Sequence, residues 1–145
     1  MAKLLRNSSR PAVTVQETAT VEAAVKTMVQ ERIGAVVVLR GNEMAGIFSE
    51  RDVLDKIVLA RRDAAKTPIS AVMTADVLSI PAPGDEAAAA EKMAANHIRH
   101  LPIVDAKKKV VGMVSLRHVM EERIADLEHE VNVLEAYLGY DGVSG

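Results

Sequence analysis

The chain repeats itself, and a chain built from two copies of one supersecondary unit has few folds open to it. At an offset of 65 residues Ala23 falls on Ala88, Ala24 on Ala89, Met28 on Met93 and Ile33 on Ile98. One residue is gained in the polar turn 105–109, and beyond it the offset is 66: Gly46 falls on Gly112, Ser49 on Ser115, Arg51 on Arg117 and Val53 on Val119. Surface turns tolerate insertions of this kind.

Each copy carries the same succession of signals. A short apolar stretch, 12–15 or 77–80, reads as a strand and leads through a polar turn into a helix. In the first copy that helix has Val21, Ala24, Val25 and Met28 at helical spacing. Thr20 and Asp85 stand at the N-cap positions. Two aliphatic runs follow, 35–39 and 44–48, and the polar Arg40-Gly-Asn-Glu43 between them marks a hairpin. The second copy has 100–104 and 110–114. A second helix is expected over 50–60, and its counterpart from Leu116 onward. The unit is β-α-β-β-α and the fold class α+β, with repeats at 6–63 and 70–125 and a C-terminal helix over 119–139. A unit of about sixty residues buries its faces poorly alone. The two copies are therefore expected to pack sheet to sheet, leaving clefts between them as the natural ligand sites.

Composition closes several other routes. Hydrophobic residues make up 49% of the chain, enough for a core, and 18 Lys+Arg against 20 Asp+Glu leave no field that would draw it to nucleic acid or an anionic membrane. Cysteine is absent, which removes disulfides and thiolate chemistry. Phe48, Tyr137 and Tyr140 are the only aromatics besides histidine, too few for base stacking. The segment 1–12 has three basic residues but no apolar run, so neither a signal peptide nor a membrane span is expected, and the location is read as cytoplasmic.

The duplicated β-α-β-β-α order, with Ile98-Arg-His-Leu-Pro-Ile-Val-Asp105 before one hairpin turn and Gly46-Ile-Phe-Ser-Glu-Arg-Asp52 closing the other, resembles the CBS (cystathionine-β-synthase) domain family over residues 6–125. The resemblance implies a Bateman module: two repeats about a pseudo-twofold axis, whose clefts often bind AMP, ADP, ATP, NAD or S-adenosylmethionine. It also implies pairing of modules into a flat disc.

Ser49-Glu-Arg-Asp52 stands where a strand gives way to a helix. By itself it reads as a capping box, Ser49 accepting from the first turn and Asp52 from the Ser49 amide. The same geometry suits a nucleotide, since helix-start amides favour phosphate and a carboxylate can accept both ribose hydroxyls. The resemblance assigns that role to Ser49 and Asp52, with Arg51 as a phosphate partner. It walls this first cleft with Gly34, Ala35 and Ile47 of the first copy and Thr74, Val77, Ile98, Arg99 and His100 of the second. Val77, Ile98 and Ile47 are equally at home as core, whereas Arg99 and His100 beside an apolar strand are poor core residues, and a phosphate role is favoured for Arg99 over a solvated strand end.

The second cleft departs from the pattern. Ser115-Leu-Arg-His118 places His118 where the first copy has Asp52, and a neutral imidazole cannot accept from both hydroxyls of a diol. Arg99, Arg117 and His118 would suit an anion or the phosphates of a longer ligand, and Ser9, Ala12, Val13, Ile33 and Met113 complete the wall. An empty cleft, with His118 at a solvated helix start, is the alternative. His97 and His100 lack nearby carboxylate or thiolate partners, so no metal site is expected.

Met120, Ile124, Leu127, Val131, Leu134 and Leu138 step by 4, 3, 4, 3 and 4, a short coiled-coil seam. A dimer contact is favoured over packing back onto the module, with Gly139 ending the helix and a loose tail over 140–145. No Walker loop, Gly-x-Gly-x-x-Gly, paired carboxylates or nucleophile with its base is present, so no catalysis is expected. The expected function is sensing of an adenine nucleotide, AMP, ADP, ATP or NAD(H), bound in the cleft between the repeats and relayed through conformation or dimer geometry to an effector protein. The alternatives are S-adenosylmethionine binding and a purely structural dimerisation module with vestigial clefts.

Overall fold

The computed structural model describes residues 9–139, with the backbone alone at Ser9 and Arg10. The expected repeat start at Arg6, the basic segment before Ser9 and the tail 140–145 lie outside the described residues. In chain order the elements are β1 (Ser9–Arg10), β2 (Thr14–Gln16), α1 (Val21–Glu31), β3 (Ala35–Arg40), β4 (Glu43–Ser49) and α2 (Glu50–Asp52). A π-helical turn (Val53–Val58) and a 3-10 turn (Ile69–Ala71) precede β5 (Ile80–Pro81), α3 (Glu86–Asn96), β6 (His100–Val104), β7 (Val110–Ser115) and α4 (Leu116–Tyr137).

The duplication is visible down to the helix ends. The Thr20 side chain accepts from the Ala23 amide at the start of α1, and the Asp85 side chain accepts from the Ala87 amide at the start of α3. Both helices close on a left-handed residue, Arg32 (φ 55°) and His97 (φ 54°), whose amides return to the last-turn carbonyls. α1 buries Val21, Ala24 and Met28, three positions on one face.

β2-β3-β4 form one sheet and β1-β7-β6-β5 the other. Strand alternation sends Val36, Val38 and Phe48 to a core shared with α1, and Leu101, Ile103 and Val114 to a core shared with α3. Each fully buried side chain of the size of Phe48 contributes about 1.5–3 kcal/mol. The intervening residues Ala35 and Val37 of β3, with Pro102 and Met113 of β6 and β7, point to the opposite sheet faces and are buried as well. Those faces are where the two sheets pack together, which explains why 35–38 is an unbroken apolar run rather than an alternating one.

Three details depart from expectation. The entry strands begin later, at Thr14 and Ile80 rather than 12 and 77. The residues just before them are used elsewhere: β1 pairs antiparallel with β7 of the second repeat, and Thr74 forms an antiparallel bridge with Ile47 of the first. The helix expected over 50–60 keeps a single α-turn and then widens, the Leu59 amide reaching the Leu54 carbonyl at 3.0 Å. In this register Ile57 joins the first core and Lys56 reaches the Val72 carbonyl at 2.8 Å, tertiary contacts that local propensity does not weigh.

The Ile47–Thr74 bridge is closed by two amide–carbonyl bonds of 2.9 Å. It passes directly over Gly46, where an added Cβ would lie 2.7 Å from the Thr74 carbonyl oxygen and 2.7 Å from the Met73 sulfur. Gly46→Ala is expected to lower unfolding free energy by about 1–3 kcal/mol in chemical denaturation. A change within about 0.3 kcal/mol would mean that the crossing segment yields freely.

Candidate ligand site between the repeats

The end of β4 delivers Ser49 and Asp52 as a complete capping box. The Ser49 amide donates to Asp52 Oδ2 at 2.9 Å, the Ser49 hydroxyl donates to the same oxygen at 3.2 Å, and the Asp52 amide donates to Ser49 Oγ at 3.4 Å. The second carboxylate oxygen, Oδ1, takes Lys56 Nζ at 3.1 Å. Asp52 is buried, at 9% exposure, and its four acceptor positions are mostly used within the chain. Two hydroxyls of a diol can both bond to Asp52 only if Lys56 or the rotatable Ser49 hydroxyl lets go. Lys56 would still hold the Val72 carbonyl, so it ties the carboxylate to the segment that crosses to the second repeat. Sequence reasoning missed Lys56, although its position four residues after Asp52 is an ion-pair spacing on a helix.

His100 opens β6 and reaches across to the first repeat. A Cβ placed on Gly34 would lie 3.2 Å from His100 Nε2 and 3.1 Å from Glu50 Oε1, so the absence of a side chain at Gly34 is what admits both groups. Burial lowers the His100 pKa below its ordinary value; Glu50 opposes this, and Arg99 and His118 reinforce it. Glu50, Arg99, His100 and His118 thus share one neighbourhood spanning both repeats. Glu50 was not foreseen. His118 Nδ1 is buried and has no hydrogen-bond partner among the described residues.

The other expected residues divide by position. Ala35 pairs with Ser49 across β3 and β4, and Ile47 with Thr74, so these four gather at one edge with Gly34 and Asp52. Val77 is half-buried, and Ile98 packs onto the second core, as its apolar character alone would dictate. Arg51 and Arg99 are exposed. In the second cleft Ser115 caps α4 in position but makes no side-chain capping bond. Arg117 does not converge on His118: it is 85% exposed and bonds Glu121 at 3.1 Å. The backbone of Ser9 pairs with Val114, Met113 is buried, and Ala12 is half-buried. Val13 packs on the first core. Ile33 lines a cavity of about 570 Å³ between α1 and the helical segment after β4, with Val25, Met28, Val29, Glu50 and Leu54. No cluster of three or more His, Asp or Glu able to hold a metal ion occurs among the described residues. No helix among them is long and apolar enough to cross a membrane.

The CBS domain model matches residues 5–59 and 69–125. The chain belongs to the CBS-domain family. As a tandem CBS pair it is 34% identical over 124 residues to the mitochondrial CBS domain-containing protein CBSX3 of Arabidopsis thaliana, covering 82% of this chain and 60% of that protein. The chain thus spans less than two thirds of that relative, and only 22% of a second plant relative, CBSCBSPB1. A solved structure of a protein with CBS domains from Burkholderia ambifaria superposes with a TM-score of 0.75 at 33% identity, covering 81% of this chain and 85% of that one. A CBS domain protein from Pyrobaculum aerophilum, complexed with AMP, superposes with a TM-score of 0.74 at 30% identity, covering 82% and 91%.

The lowered pKa of His100 has a definite consequence for the pair. The folded state binds fewer protons than the unfolded chain below the ordinary histidine value of about 6.5, so stability falls as pH drops through that range. His100→Gln, a neutral side chain of similar reach, is expected to flatten the dependence of melting temperature on pH between about 7 and 5. An unchanged slope would place the sensitivity in other groups.

Proposed function

We propose that this CBS pair is a regulatory module that binds an adenine nucleotide, AMP in the first instance, against Ser49 and Asp52. The observation that carries the reading is the buried Asp52 carboxylate at a helix start, next to the Ile47–Thr74 bridge where backbone of both repeats meets. A ribose there would exchange its hydroxyls for Lys56 or Ser49 on Asp52, while Gly34, Ala35 and Thr74 flank the base and Arg51 or Arg99, both exposed, reach the phosphate. The AMP complex of the Pyrobaculum aerophilum protein, at 30% identity, supports this choice over ATP, NAD or S-adenosylmethionine.

The two clefts are unequal in this reading. The His118 side has no carboxylate at the Asp52 position, and with Arg117 turned away it keeps only Arg99 and His118 for an anion. The module acts as a homodimer on an effector outside this chain, the bound nucleotide favouring one relative orientation of the repeats by its differential affinity. A module serving only to dimerise would show no nucleotide response.

Calorimetry and melting with AMP, ATP, NAD and S-adenosylmethionine test the proposal. AMP at 100 times its dissociation constant is expected to stabilise the fold by about 2.7 kcal/mol, with one nucleotide bound per chain. Asp52→Ala also removes the capping box, so its readout is the shift between free and liganded protein, which is expected to vanish. A shift that survives in the variant moves the site elsewhere, and the absence of any shift with all four ligands removes the sensing function.

A further inference from the structure

Past Asp126 every described residue of α4 is exposed, so the helix runs out of the module. The helix runs 22 residues, about 33 Å, its main neighbours are α3 and β7, and its buried residue, Val119, sits in the first turn. Every seam residue, Met120, Ile124, Leu127, Val131, Leu134 and Leu138, is between 52% and 64% exposed. The alternative in which the helix folds back onto its own module is therefore not what the chain does. A projecting helix of fewer than twenty residues with one apolar stripe is marginal in water by itself. It needs a partner.

We infer that α4 pairs with α4 of a second copy as a parallel, in-register, two-stranded coiled coil. This rests on the dimer in the proposed function and adds its geometry. The 4-3 stepping puts Ile124, Val131 and Leu138 at the a positions and Met120, Leu127 and Leu134 at d. β-Branched residues at a with Leu at d favour two parallel strands over three or four. A self-complementary stripe of this kind is met by a copy of itself.

The orientation follows from a second apolar surface. On the first repeat Val29 and Leu54, which line the 570 Å³ cavity, and Val58 and Leu59, which follow Leu54 in the chain, are between 60% and 76% exposed. At the repeat offset of 66, Leu54 corresponds to Met120 and Val58 to Ile124, so the first-repeat surface is the internal counterpart of the seam's first turns. A parallel coil holds the two modules at the same end, where one twofold contact can cover both surfaces. An antiparallel coil would hold the modules at opposite ends of the rod and leave the first-repeat surface bare.

The flanking charges supply the test. In a parallel coil Arg123 faces Glu128 of the second copy, and Glu130 faces Glu135. In an antiparallel coil Arg123 faces Glu130, and Glu128 faces Glu135. The native charges favour neither, but Glu130→Lys relieves a repulsion in the first arrangement and creates one with Arg123 in the second. The chain has no cysteine, so Leu138→Cys introduces a single thiol. Parallel pairing brings the two thiols together, whereas antiparallel pairing separates them by about 27 Å along the axis.

The experiment is sedimentation equilibrium on the full chain and on Glu130→Lys, with Leu138→Cys equilibrated in a glutathione redox buffer and circular dichroism confirming the fold. The expected results are a dimer, a dissociation constant several-fold lower for Glu130→Lys, and a predominantly disulfide-linked Leu138→Cys dimer. A dimer that does not cross-link, or that Glu130→Lys weakens, overturns the parallel coil and leaves the dimer standing. Monomer mass throughout overturns both.

Discussion

The exchange of entry segments between the two repeats is the constraint from which the rest of the molecule follows. β1 hydrogen-bonds to β7 of the second repeat, and Thr74 to Ile47 of the first, so each sheet is finished by backbone that leads into the other. The linker is built in as firmly: Ile69 and Val72 lie in the first core, and the Ile69 amide donates to the Ala19 carbonyl at 2.8 Å. Separating the repeats would strip two sheet edges and uncover the faces carrying Ala35, Val37, Pro102 and Met113. The costs of unpaired backbone and exposed apolar area add.

That exchange also makes the candidate site a property of the pair. Each crossing segment arrives beside the start of the other repeat's second helix, which places Thr74 near Ser49 and Asp52 and brings His100 over Gly34. The same backbone frame is built twice, but the side chains set into it differ. Where the first repeat has Asp52 and Lys56, the second has His118 and Glu122, the acid and the base in reversed order. Where the first repeat has Ala35, the second has His100, whose ring fills the space left by Gly34. Pseudo-symmetry of the fold therefore does not produce two equivalent clefts.

Lys56 and the π-helical turn show how closely this site is joined to its surroundings. By holding both Asp52 Oδ1 and the Val72 carbonyl, Lys56 links the buried carboxylate to the linker that carries the chain into the second repeat. A group that took Asp52 from Lys56 would alter a bond between the two halves of the molecule, a local event with a path to their relative orientation.

The sequence by itself determined what depends on near neighbours. The duplication is read from self-similarity at a fixed offset, and both hairpins, the caps Thr20 and Asp85, the capping box at Ser49 and the apolar seam of α4 are carried by residues within a few positions of one another, where spacing dictates geometry. Tertiary structure decided what depends on residues distant in the chain. Which sheet β1 joins, why the helix after Asp52 widens, how Lys56 reaches the Val72 carbonyl and why His100 is buried each turn on contacts between segments whose separation in sequence carries no periodic signal. Local patterns select the elements; the pairing of their edges and the packing of their faces select which side chains meet.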